Sequence, residues 1–477
     1  MPNRHRRVLL WIRRDLRVSD NTALHNACLN ADEVAPLFVL DPAILSRPDT
    51  GMARVAFLMN SLQELDGELQ KIGGRLVIRY GEAHDTIMAA VAETGATAIY
   101  FNREYEPHLR ERDDRVILSL KTAGIEVNSY KDQVIAEPGE VLTAVGAPYT
   151  VFTPYYRTWL QSALAPPLPV PDRICVPSTL FGVDLKEQSI LTQNAGTNTF
   201  GAGEQAALAL LRRFVAEKLE DYDTARDFPG IDGTSRLSRH LHFGTISPRT
   251  ILGAAQQACD SPNPKMREAS TAFIRQLAWR EFYIQVMYHF PRIMREAYRT
   301  EFDNIIWEND PDHFEAWRMG MTGYPILDAA MRQLLAESWM PNRMRTVTAS
   351  FLIKHLLCDW RLGEMHFMQH LADGDLAANN GGWQWVAGTG PGAQPYFRIL
   401  NVTTQAKNYD SNGDYVRQWV PELARVPAAM IHTPERLSSA ERKDLGCDKY
   451  PMPIVDQAIR REIALNAYKS ARGKRDQ

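Results

Sequence analysis

The hydrophobic period of this chain changes once, and that change limits what it can fold into. From Val8 to about Ile135, short runs rich in branched and aromatic residues, VLLWI, VAPLFVLD, RLVIRYG, AIYFNREY and EVNSYKDQVI, alternate with longer amphipathic stretches. Strands interleaved with helices pair in parallel, so this stretch predicts an α/β N-terminal domain with a parallel sheet. Ser19, Asp20 and Asn21 supply an N-cap for a helix through Cys28, and Ala53 to Ile72 and His84 to Thr94 have the spacing of crossover helices. From Glu204 the period is helical nearly to the end, through EQAALALLRRFVAEKL, Ala272 to Tyr288, TGYPILDAAMRQLLAESWM and RTVTASFLIKHLLCDW. The expected division is an α/β domain over 1–135, an irregular proline-rich linker over 136–200 that includes AGTNTFGAG near Ala195, and an all-α domain over 201–477. The basic end SARGKRDQ reads as a solvated terminus.

At 477 residues the chain exceeds what one core covers, since single cores stop growing at about 250 to 300 residues. No apolar run approaches a membrane span, so no membrane partner is expected. Cys28, Cys175, Cys259, Cys358 and Cys447 are odd in number, far apart and without CxxC spacing, which indicates neither a disulfide framework nor zinc and fits a cytoplasmic protein. The net charge of −3 gives no global attraction to nucleic acid, so any DNA binding must use a local patch. The first 200 residues hold 20 Lys and Arg against 24 Asp and Glu, and the remainder 34 against 33, which makes the second half the better partner for a polyanion.

No GxGxxG follows the first strand, so a dehydrogenase nucleotide site is unsupported. Arg13, Arg14 and Arg17 beyond that strand either line a ligand crevice or form a solvated basic edge. The stretch Asp373 to Trp385, DGDLAANNGGWQW, combines carboxylates, Asn379 and Asn380 as ring-edge donors and acceptors, bare Gly381 and Gly382, and two indoles. That mixture suits a ring-shaped redox ligand. After Gly233, the turn Thr234, Ser235, Arg236, Leu237 and Ser238 precedes a helix and offers hydroxyls and amides to a phosphate or simply to a cap, with Tyr222 and Arg226 upstream. Trp279 sits among Arg275, Gln276, Arg280 and Glu281, as where a helix borders a ligand cavity. Trp339 is followed by Asn342, Arg343 and Arg345, the last a partner for Asp373 or Asp375. Neither hydrolytic machinery nor a metal-ligand cluster is visible; His355, His366 and His370 read as core or surface residues.

WIRRDLRVSDNTAL, RDFPGIDGTSRLS, WREFY, TGYPILDAAMRQL, NRMRTVTASFL, DWRLGE, DGDLAANNGGWQW and PYFRILN resemble the DNA photolyase and cryptochrome family along nearly the whole chain. Within it the chain most resembles the microbial cyclobutane pyrimidine dimer photolyases. The resemblance implies a Rossmann-like antenna-binding N-terminal domain and an all-α FAD-binding catalytic domain. It implies a deoxyribodipyrimidine photo-lyase, a carbon–carbon lyase and monomer acting on damaged DNA with pyrimidine dimers by electron transfer from photoexcited reduced FAD. Tyr222, Arg226, Thr234, Ser235, Arg236, Leu237 and Ser238 would hold the FAD phosphates and ribityl chain. Asn342, Arg345, Asp373, Asp375 and Asn379 would surround the isoalloxazine, with Asn379 facing N5. Trp383, Trp360 and Trp307 match the electron relay. Trp279 and Trp385 match the walls for the flipped dimer, with Gln276 and Asn342 at the lesion and Arg280, Arg343 and Arg398 near DNA phosphates.

Three positions depart from the pattern. Gln276 stands where dimer photolyases usually have glutamate, Thr346 replaces a methionine, and Pro341 replaces a histidine. Gln276 also matches six-four photolyases, but those use histidines at the positions of Asn342 and Thr346. The alternative from another class is a cryptochrome, a blue-light photoreceptor that binds FAD without repair. Leu109, where folate-binding relatives tend to have glutamate, together with LFVLDP and NREYEP, favours a deazaflavin or flavin antenna over methenylfolate.

Overall fold

The computed structural model describes residues 5–162, 165–183, 201–392 and 394–473, so AGTNTFGAG lies largely outside the described residues. Two compact units share the chain. The first takes Met1–Glu220, Ser235–His289 and Ala372–Asp375; the second takes Asp221–Thr234, Phe290–Leu371 and Leu376–Gln477.

In the first unit, β1 (His5–Ile12), β2 (Ala31–Leu40), β3 (Val77–Tyr80), β4 (Ala98–Asn102) and β5 (Glu126–Tyr130) form one parallel sheet in the order β3-β2-β1-β4-β5. Parallel strands need both faces covered, which is why β1 is apolar at consecutive positions rather than alternate ones. Val8, Leu10 and Ile12 enter a core with helices Thr22–Asn30 and Met52–Lys71. Leu9 and Trp11 point to the opposite face and pack with helices Ala83–Thr94 and Pro107–Thr122. Asn21 is the N-cap the sequence anticipates: its side chain accepts from the Leu24 amide at 3.1 Å.

Arg13 and Arg17 after β1 are not a solvated edge. Arg13 is buried over the Trp11 and Phe101 rings, 4.4 and 4.8 Å from their centroids, and pairs with Asp113. Arg17 donates to Asp132 at 2.6 Å, and Arg249 joins the same cluster through Asp20 and Asp132. Asn102, at the end of β4, donates to Asp15 and Asn21. Open α/β sheets bind ligands where neighbouring strands diverge, here between β1 and β4. In this unit Arg13, Arg17 and Asn102 make their ion pairs and hydrogen bonds at or just beyond the ends of those two strands.

The stretch after residue 136 is less irregular than its prolines suggest. Helix Phe152–Trp159 lies within it and buries Phe152, Tyr155 and Trp159.

The second unit is helical. Helices Pro325–Glu337, Asn342–Lys354, Trp360–His370 and Leu376–Ala387 surround a core that includes Trp317, Phe351, Trp360 and Trp383. Helix Gln457–Gly473 buries Tyr468 and Ala471 in that core, so Ala471 of the expected solvated terminus is packed while Ser470 and Arg472 beside it are exposed.

Candidate functional site

Helix Pro264–His289 of the first unit carries Gln276, Trp279 and Arg280. Ile274, Leu277, Ala278 and Phe282 are buried as the 3.6 period requires. Trp279 is only half-buried. It lies flat on Phe152, with ring centroids 3.7 Å apart at 7°, while Phe282 meets it edge-on at 5.6 Å. Its orientation is therefore set by packing, and part of the indole stays open. Arg280 donates to the Gln133 carbonyl at 2.8 Å.

Glu281 differs from its expected place beside a ligand cavity. It is 2% exposed and accepts from the Ile135 and Ala136 amides at 2.6 and 3.1 Å and from the Trp159 indole at 2.7 Å. Burial pushes its carboxyl up, against the pull of those donors. It is a structural tie.

In the hydroxyl-rich turn Arg236 adopts φ 51°, and the Ser235 hydroxyl accepts from the Leu237 amide at 3.4 Å. Ser238 opens helix Ser238–Phe243 and donates to Asp373 at 2.6 Å, so the turn and the DGD segment are fastened together. His242 Nδ1 lies 3.6 Å from Asp375, longer than a hydrogen bond, and burial lowers the affinity of the imidazole for a proton. Burial alone would raise the Asp375 carboxyl, but His242 and the charges of Arg280 and Arg14 outweigh it and hold it well below the usual range. An ionised carboxylate there suits an N–H or hydroxyl donor.

The second unit holds the remaining expected residues. The Arg226 guanidinium lies 5.5 Å from the Tyr222 ring and pairs with Asp223 at 3.0 Å. Gly233 is obligatory before Thr234: a Cβ there would sit 2.5 Å from that of Ala225. Asn342 is exposed at the start of its helix, and its carbonyl accepts from the Thr346 hydroxyl at 3.2 Å. Arg343 pairs with Asp227 at 2.8 Å and covers the Tyr409 ring at 4.6 Å. Arg345 donates to the Met340 carbonyl at 2.9 Å, and Arg398 is exposed.

On helix Leu376–Ala387 the two asparagines separate. Asn380 is fully buried and donates to the Ile293 carbonyl and the Glu364 carboxylate, both at 3.0 Å, so it braces the helix and is not a ring-edge residue. Asn379 is half-buried and donates to the Glu364 carbonyl at 3.0 Å. That bond fixes its amide and leaves the side-chain carbonyl oxygen as an acceptor without a partner among the described residues. The Cα of Gly382, three residues on, faces open space.

Trp383 is 2% exposed, edge-on to Phe367 at 5.0 Å and to Trp317 at 6.2 Å. Trp360 is buried beneath Arg361, and the half-buried Trp307 lies 6.3 Å from Tyr468. Trp385 is half-buried against the core. Sequence reasoning passed over Phe152, His242 and Trp317. Only Phe152 had a legible signal, the aromatic spacing of FTPYYRTW.

The sequence matches the DNA photolyase family over residues 8–172 and the FAD binding domain of DNA photolyase over residues 273–470. The chain belongs to the DNA photolyase family. It is 41% identical over 465 residues to the deoxyribodipyrimidine photo-lyase of Synechococcus, covering 95% of each chain, and the enzyme class expected from the sequence is the name that relative carries. The archaeal photolyase from Sulfolobus tokodaii, whose structure holds two FAD molecules, superposes with TM-score 0.85 at 33% identity, covering 97% of this chain and all of that one. The Synechocystis cryptochrome superposes with TM-score 0.89 at 29% identity, covering 98% and 100%. No helix among the described residues is long and apolar enough to cross a membrane. The match to an FAD binding domain is compatible with two features of helix Leu376–Ala387: the open side-chain carbonyl of Asn379, an acceptor for an N–H donor, and the open space beside Gly382.

Proposed function

We propose that the chain repairs cyclobutane pyrimidine dimers in DNA under light, with FAD as the bound electron donor. The observation that carries this reading is Trp279, an indole left half-open beside the buried Leu277, Ala278 and Phe282 and held flat by Phe152. A dimer has lost normal pairing and stacking, so extruding it costs less than extruding an intact base. Indole stacking returns about 1 to 3 kcal/mol per base. Trp279 and Trp385 wall the lesion, and Gln276 with Asn342 reads its polar edge. Arg280, Arg343 and Arg398 serve the phosphates.

Tyr222, Arg226 and Thr234 to Ser238 hold the phosphate and ribityl portion of FAD, and Asn342, Arg345, Asp373, Asp375 and Asn379 the isoalloxazine. Bound there, FAD supplies light-driven donation and recovery of one electron. Asn379 would accept from the N5–H of the reduced flavin, and Trp383, Trp360 and Trp307 would carry electrons toward the flavin when it is oxidised. No general acid is needed, which agrees with the absence of hydrolytic machinery in the sequence. A second chromophore, deazaflavin or flavin, serves as antenna; the two FAD molecules in the Sulfolobus tokodaii structure favour it. Methenylfolate extracted from the protein would reject it.

The test is repair of an oligonucleotide with one thymine dimer by fully reduced protein, in light and in the dark. Restored thymines only in light establish the reading. A yellow, photoreducible protein that repairs nothing would instead be a photoreceptor, the reading that likeness to the Synechocystis cryptochrome favours.

A further inference from the structure

One turn before Trp279, the same helix carries Arg275, whose side chain is exposed. Its guanidinium carbon lies 5.4 Å from the Phe152 ring centroid and 5.7 Å from that of Tyr156. Phe152 is the ring that backs Trp279, and Tyr156 stacks on Phe152 at 5.6 Å and 13°. Arg275 is thus seated on the aromatic stack that orients the indole.

Its donors are unspent. Among the described residues Arg275 makes no hydrogen bond and no ion pair, and both of its contacts are with ring faces. Arg280, on the same helix, differs in that one of its nitrogens already donates to the Gln133 carbonyl. A guanidinium resting on rings loses little of its hydrogen-bonding capacity, because the N–H fork lies in its plane. That fork matches a phosphate in two-point geometry. The adjacent Gln276 is neutral, so no carboxylate beside it competes. Cations interleaved with aromatic rings are how proteins track a nucleic-acid strand, the cation on the backbone and the rings on the bases. One helical turn separates Arg275 from Trp279, about 6 Å along the axis, a separation suited to a phosphate next to a base held on the indole.

We propose that Arg275, seated on Phe152 and Tyr156, contacts a DNA phosphate flanking the lesion that Trp279 receives. This rests on the dimer-repair reading for the identity of the lesion, but not for the phosphate contact. The experiment measures binding of the FAD-loaded protein to dimer-containing and undamaged duplexes across a salt titration, for wild type, Arg275→Gln and Arg275→Lys. Each phosphate contact adds about 0.9 to the slope of log K against log salt. Arg275→Gln is expected to lower that slope by about 0.9 and weaken both duplexes by one common factor, leaving the preference for the dimer unchanged. Arg275→Lys is expected to restore the slope. An unchanged slope in Arg275→Gln, with or without a lower melting temperature, overturns the proposal and leaves Arg275 a packing residue. A wild type without dimer preference whose slope still depends on Arg275 supports the phosphate contact and removes the lesion reading alone.

Discussion

Glu281 gives both carboxylate oxygens to the Ile135 and Ala136 amides and the Trp159 indole, so losing its charge strands three buried donors. Glu281→Ala is expected to cost about 3 kcal/mol or more, and Glu281→Gln less, read from denaturant midpoints. Gly363 is bound to Trp383 in another way: a Cβ there would fall 2.1 Å from the indole. Gly363→Ala is therefore expected to displace Trp383 and cost about 1 to 3 kcal/mol by overpacking, which thermal melts measure. Trp383→Phe tests the relay without that clash. Photoreduction of oxidised flavin should vanish while repair by chemically reduced protein persists, and loss of both would reject the relay. At this scale the sequence speaks through residue type more than through placement. Asn379 and Asn380 are chemically identical and adjacent, yet one keeps an open carbonyl and the other is spent on Ile293 and Glu364. Only the helix's rotation against its neighbours decides which is which, and neither residue encodes it alone.

Helix Leu376–Ala387 ends on a carbonyl that two side chains share. Lys354 and Tyr468 both donate to Ala387 O at 2.8 Å, and the Lys354 amine also reaches the Tyr396 carbonyl at 3.2 Å. Burial lowers the affinity of that amine for its proton far below the ordinary lysine range. Lys354→Met keeps the stem and removes both bonds; it is expected to cost about 1 to 2 kcal/mol and loosen the helix end, seen as faster amide exchange near Ala387. The parallel strands and long helices were readable because their periods run for many residues. Helix Phe152–Trp159 was obscured by nearby prolines, although Pro154 falls in its first turn, where no amide partner is lost. Its aromatic residues at 152, 155, 156 and 159 already had helical spacing. Arg13 and Arg17 read as a ligand crevice or a basic edge because their partners Asp113 and Asp132 lie about a hundred residues away, a distance that sequence pattern does not bridge.

For the whole molecule, acid is the condition to watch. Burial lowers His240 and His366 to about 3 and His355 to about 4, so all three are neutral in the folded chain. Unfolded, each returns to about 6.5 and takes a proton first. The stability from keeping them neutral is complete above pH 6.5 and is lost as pH falls from there toward 4, on the order of 1 kcal/mol per histidine by pH 5.5. The melting temperature should fall steadily between pH 6.5 and 4.5, and His366→Gln should flatten that slope. The first unit takes its last segment, residues 372–375, after the second has taken Asp221–Thr234 and Phe290–Leu371. A ribosome must therefore release nearly four fifths of the chain before the sheet-bearing half possesses all its parts. A nascent chain stalled before Ala372 exposes an incomplete body to chaperones, and no single cut in the polypeptide liberates either unit whole.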